Sequence, residues 1–180
     1  MELDEFWALI DAARSDAGGE LGEDGAALAK ALGVRLAALG QPQRQGFGAT
    51  FADLVKQAAT WDVFGAAYLI GGGCDDGGFE DFRFGLVATG RDGYARAIRD
   101  ADSLAAYPVV AEAAEWDDDS AVFAELVGDE VARITGVPVR EPVEVSGEAF
   151  DVDDDDAMRF RLPRLSALFL GWPPNEGCRC

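Results

Sequence analysis

The stretch Trp61-Asp62-Val63-Phe64-Gly65-Ala66-Ala67-Tyr68-Leu69-Ile70 carries Asp62 as its one charged residue and is otherwise almost wholly apolar. A helix that is apolar all round belongs in the middle of a fold, with other elements packed on every side. Gly71-Gly72-Gly73 then stops it, as glycine does at a helix C-terminus. Asp62 can cap its start, or it can run on from the helix before it. Everything else in the chain is expected to wrap around this segment.

Working towards the N-terminus, Phe47, Phe51, Leu54, Val55 and Ala58 fall on one helical face, with Asp53, Lys56 and Gln57 off it. Leu28, Leu32, Leu36 and Leu39 repeat at helical spacing, although Gly33 inside them costs about 1 kcal/mol against alanine. Leu3, Phe6, Trp7 and Ile10 form an i, i+3, i+4, i+7 stripe that Gly18 and Gly19 end. Towards the C-terminus, Phe79 to Thr89 resumes helix and Arg91 to Arg99 forms a short one. Asp100 to Ser103 reads as a turn whose last residues cap the next short element. A small helix lies between Pro108 and Asp117-Asp118-Asp119, and Ser120 is expected to cap a clear one carrying Phe123, Leu126, Val127, Val131 and Ile134. Beyond Gly136 the prolines at 138 and 142 and the spacing of Val139, Val143 and Val145 indicate an extended arm or short strand. Pro163 opens a last short helix with Leu165, Leu168 and Phe169.

The expected fold is therefore mainly α: a single-domain bundle of roughly seven to eight helices with an extended C-terminal arm. Its parts are a helical core over 1–136, an arm and short helix packed on that core over 137–172, and a flexible tail over 173–180.

At 180 residues, with 49% apolar residues, the chain can bury a core without help from a metal or a disulfide. Its 34 acidic against 15 basic residues give a net charge of −19, which repels phosphates and anionic membranes alike. Nucleic acid and membrane are thus excluded as partners, whereas a basic protein is admitted. No run approaches a membrane span or a signal peptide, and the odd number of cysteines has no framework spacing, so a reducing cytoplasm is the expected setting. The absence of histidine removes the usual neutral-pH base and the commonest zinc ligand. No cofactor is expected.

The candidate site is the loop from Gly71 to Phe79 with the residues around it: Asp62, Cys74, Asp75, Asp76, Glu80 and Arg83. A glycine-rich loop entering a helix can hold phosphate, but no Lys-Ser/Thr pair follows, and two aspartates oppose that use unless a divalent cation comes too. The alternative is a tight corner in which Asp75 or Asp76 caps the second helix. Arg83 lies amid Phe79, Phe82, Leu86 and Val87 on the helical wheel, so it is expected to be buried and paired, with Glu80, Asp62, Asp75 or Asp76 as partner. Cys74, beside two negative charges and with no histidine to activate it, is expected to be a small buried hydrophobe. Cys178 and Cys180 form a terminal C-x-C read as part of a loose tail. The run Asp151 to Asp156 fails as a calcium loop, with Asp156 where glycine is needed and Leu162 where glutamate is needed, and reads as a solvated acidic cap.

Phe6-Trp7-Ala8-Leu9-Ile10, the segment Ala66 to Ile70 continuing through Gly-Gly-Cys-x-Asp-Gly-Gly-Phe-x-x-Phe-Arg83, and Asp102-Ser103-Leu104-Ala105 together resemble the domain of unknown function 4240 family. The resemblance spans roughly Met1 to Gly136 and implies a bacterial helical domain built around that loop, with no activity attached. The chain departs from it at Gly73 and Gly78 and in the tail after Trp172. Two functional readings follow. The favoured one is a non-enzymatic acidic module that engages a basic protein. The other is a divalent-cation-dependent ligand-binding protein or hydrolase using the loop and Arg83.

Overall fold

The computed structural model describes residues 1–19, 25–116 and 120–171. Among these, ten α-helices and one 3₁₀ helix follow one another: α1 (Leu3–Asp16), α2 (Ala26–Ala37), α3 (Gln41–Gln57), α4 (Trp61–Ile70), α5 (Asp76–Ala88), α6 (Arg91–Arg99), the 3₁₀ helix (Ala101–Ala106), α7 (Pro108–Trp116), α8 (Glu125–Thr135), α9 (Asp155–Arg161) and α10 (Pro163–Phe169). The fold is all-α, as the periodicities predict. Asp117 to Asp119, the tail over 173–180 and its Cys178 and Cys180 lie outside the described residues.

α4 sits where its composition demands, with Val63, Gly65, Ala66, Ala67, Leu69 and Ile70 all buried. Thr60, not Asp62, caps it: the Thr60 hydroxyl accepts the Val63 N–H at 3.3 Å, and its extended backbone separates α4 from α3. On the other side of the core, rings from three helices meet in a chain. Phe6 of α1 stacks on Phe47 of α3 at 4.6 Å between centroids, Phe47 lies 6.4 Å from Phe51, and Phe51 lies 5.7 Å from Phe84 of α5. Burying such large rings supplies much of the driving force for folding.

Two expectations need correction. α8 starts at Glu125 with Ala124 as N-cap, so Ser120 lies in a preceding turn, and Leu126, expected in the core, is 40% exposed. The cause is a close approach: Val122 takes a positive φ of 71°, and its carbonyl oxygen occupies the space a side chain at Gly85 would fill, 1.4 Å from where that Cβ would stand. Second, the Asp151–Asp156 run is not just a solvated cap. Asp154 accepts the N–H groups of Asp156 and Ala157 and so starts α9, whose Met158 is buried. The arm after α8 is extended, the first of the two forms expected, and forms no strand among the described residues. Its one ladder-like contact is an isolated parallel bridge between Thr60 and Ser146, in which the Trp61 N–H donates to Ser146 O at 3.0 Å and the Ser146 N–H to Ala59 O at 2.9 Å.

Candidate functional site

The glycine corner is a connector. Gly72 and Gly73 take positive φ values of 60° and 128°, a region costly for other residues, and the Gly73 N–H donates back to Tyr68 O at 2.9 Å. Asp75 then caps α5, its Oδ1 accepting the Gly78 N–H at 2.8 Å. Asp76 is exposed in the first turn of α5, where a carboxylate suits the positive end of the helix. Cys74 is half-buried rather than buried. Desolvation, followed by the charge of Asp75, pushes its thiol up to about 11, so hardly any thiolate is present near neutral pH.

Arg83 is buried, with 3% of its surface exposed, but its partners are not those expected. Among the described residues no carboxylate makes an ion pair with it. Its Nε donates to Phe79 O at 3.3 Å and its Nη1 to Val55 O at 3.2 Å, while the guanidinium lies 4.7 Å over the Phe79 ring. Val55 belongs to the last turn of α3, at the negative end of the helix dipole, where Leu54 O and Lys56 O already accept the Ala58 and Ala59 N–H groups at 3.1 Å. Tyr94 serves the neighbouring carbonyl, its hydroxyl donating to Leu54 O at 2.6 Å. Burial raises the Tyr94 pKa and so keeps that donor protonated. Burial likewise lowers the Arg83 pKa, an effect the charge of Glu80 partly offsets. Arg83 is thus a capping cation that ties α5 to the end of α3.

The carboxylates proposed around Arg83 are held elsewhere. Glu80 accepts from Arg140 Nη1 at 3.0 Å, and Asp62 lies 3.6 Å from Arg161. Arg140 was not singled out from the sequence, yet it draws three helix-borne carboxylates together. Besides Glu80 it stands 2.9 Å from Asp81 and 3.2 Å from Asp129 of α8, and it lies over the Phe84 ring at 5.0 Å. Burial works against its charge, but these acids more than compensate and raise its pKa. Asp81 Oδ1 is in ion-pair contact yet off the hydrogen-bonding line, and burial raises its pKa despite Arg140. A lone arginine between two prolines in so acidic a chain was the available signal.

Asp102 is the second residue missed. It is buried, and it caps a helix far along the chain rather than its own neighbour. Its Oδ1 accepts the Leu165 N–H at 2.9 Å, and its Oδ2 accepts the Arg164 N–H at 3.1 Å and Arg164 Nε at 2.8 Å. The start of α10 is thereby fixed to the 3₁₀ helix.

A cavity of about 370 Å³ does open beside the corner, between the first turns of α5 and the arm, lined by Asp76, Phe79, Glu80, Arg83, Arg140 and Val143 among others. Its acids do not converge: among the described residues no group of three Cys, Asp or Glu side chains is placed to hold a metal ion. Nor does a Glu80–Arg83 pair seal it. The six candidates therefore separate into a helix corner (Cys74, Asp75, Asp76), a helix-end cap (Arg83), and two anchors for the C-terminal segment (Asp62, Glu80).

What these features define is an all-helical domain whose conspicuous polar residues mostly fasten helices and loops. The chain belongs to the family described as Protein of unknown function (DUF4240), whose model matches residues 1–134. No curated protein and no solved structure matches it. The matched portion runs from α1 through nearly all of α8; the arm, α9 and α10 lie beyond it.

Proposed function

We propose that this chain is a non-enzymatic acidic interaction module that binds a basic protein in a bacterial cytoplasm. The observation that carries the reading is the exposed run Asp151 to Asp156. Of its five aspartates only Asp155 has an arginine in ion-pair contact, Arg159 at 3.4 Å, among the described residues. The charge of this run therefore faces solvent, where it speeds encounter with a cationic surface. A composition with Lys30 and Lys56 as the only lysines accords with a bacterial source, and Cys74 is a free thiol. No helix among the described residues is long and apolar enough to cross a membrane. The cation-dependent alternative has less support, because its carboxylates are dispersed to Arg140, Arg161 and a helix cap.

The test is capture from the source cell at about 0.1 M and about 0.5 M salt, a range over which exposed charge attraction is strongly screened. A basic protein retained only at low salt, and lost when Asp151, Asp153 and Asp156 are changed to Asn, supports the proposal. Capture unaffected by those substitutions, or no basic protein at either salt, overturns it.

A further inference from the structure

The C-terminal segment closes one side of a second cavity, also of about 370 Å³, whose other side is the family-matched core. Leu69 and Ile70 of α4 and Ala114 of α7 line it from the core; Met158 of α9, with Leu168 and Phe169 of α10, lines it from beyond the matched region. Most of the lining residues are apolar, while polar and apolar atoms share the exposed surface of the cavity about equally. Asp153 and Asp155 of the acidic run also line it, with Tyr68, whose hydroxyl donates to Asp153; Asp155 is in ion-pair contact with Arg159. Trp116 follows Ala113, another lining residue, by three positions on α7 and so shares its side of the helix; it is 75% exposed. Leu168 is also partly exposed.

The geometry points to this cleft as the seat of an apolar anchor from a basic amphipathic segment of the partner, with flanking lysines or arginines meeting Asp153, Asp155 and their neighbours. This rests on the interaction reading above and names where and how the partner docks. The charge pattern selects the occupant. A cleft lined by apolar residues together with two carboxylates fits a side chain flanked by cations, whereas a second copy of this chain would bring another −19 to the same surface. A small apolar molecule would make no use of the two carboxylates. Because α9 and α10 lie outside the family match, the choice of anchor belongs to this chain rather than to the family core.

Two labelled synthetic helices test it by fluorescence anisotropy on the full chain: one of Lys and Leu in amphipathic register, and one with every Leu replaced by Gln at equal charge. The Leu peptide is expected to bind at least about tenfold tighter, the scale of burying one aliphatic side chain. Filling the cleft with Ala114→Trp, or making its lip polar with Leu168→Gln, should bring Leu-peptide affinity down to that of the Gln peptide while leaving the latter unchanged. Thermal melting of each variant identifies any that fails to fold, and two independent variants keep the comparison intact. Equal binding of both peptides to the unsubstituted chain overturns the cleft while leaving the acidic module standing. Binding of neither peptide removes the acidic module as well. Leu-peptide binding that survives both folded variants places the anchor elsewhere, and a dimer in sedimentation that Ala114→Trp abolishes gives the cleft to a second copy; either result overturns the proposal.

Discussion

The family-matched core and the segment that follows it are fastened by different physics. α1, α3 and α5 are joined through rings and aliphatic side chains, with Phe6, Phe47, Phe51, Phe82 and Phe84 fully buried. The segment from 137 to 169 contributes single buried side chains, Val139, Met158, Leu162 and Leu165, and relies on arginines between them. Arg140 reaches Glu80, Asp81 and Asp129; Arg161 reaches Glu148 at 2.7 Å and Asp62; Arg164 reaches Asp100 at 2.5 Å and Asp102 at 2.8 Å. Apolar burial is insensitive to moderate salt and indifferent to direction. Guanidinium contacts are directional and are screened in proportion to their exposure. This segment, a strap across the core, is therefore set in position accurately and held less firmly than the core it crosses.

Four measurements would break or sharpen that contrast. The largest effect belongs to the core: Gly85→Ala drives a methyl into the Val122 carbonyl, which is backbone and cannot step aside. A loss of about 3 kcal/mol or more is expected, lowering the melting temperature by about 10 °C. Next is Asp102→Ala, which leaves the Arg164 and Leu165 N–H groups unpaired and should cost about 2 kcal/mol. Hydrogen exchange should accelerate over residues 163–169 while α1 and α3 keep their protection; equal acceleration everywhere would mean that strap and core unfold as one unit.

Arg140→Met comes third, at about 1–2 kcal/mol, because it leaves Glu80, Asp81 and Asp129 facing one another. Proteolysis within the arm should rise in this variant, and in the unsubstituted chain at high salt, without a matching fall in core stability. The smallest effect concerns pH. Burial raises the folded-state pKa of Asp81, so its protonation stabilises the folded chain at low pH, and that contribution is lost as pH rises through the folded-state value. Asp81→Asn should therefore be slightly more stable than the unsubstituted chain at pH 7, with the gap closing as pH falls through the raised folded-state value and gone below about 3.9, the ordinary aspartate value. A gap that widens on acidification would show that Arg140 outweighs burial there.

The core was legible because its signals are local. The apolar run of α4, the α1 stripe and the glycine corner each announce themselves within a few residues, and Arg83 could be placed in the interior from its wheel position alone. Its partners could not. They are main-chain carbonyls, which every residue possesses and no sequence advertises, and one of them ends a helix 28 positions away. The same distance in sequence hid the 62-residue span from Asp102 to Arg164 and the 60-residue span from Glu80 to Arg140. α9 was obscured for another reason: its capping aspartate sits in a run of identical residues, and Met158 is its one buried side chain. The late start of α8 follows from backbone packing against Gly85, a contact that periodicity does not report.

The Asp102 cap also bears on the order in which the molecule is completed. A ribosome delivers Asp102 long before Leu165, so during synthesis that carboxylate waits without the amides it is shaped to receive. The cap can close only once α10 emerges, so α10 completes a contact whose other half is made much earlier in synthesis. A chain ending at Gly136 would keep the ring-lined interior but leave this acid open to water, and would be recognised by rapid exchange around the 3₁₀ helix rather than by wholesale collapse.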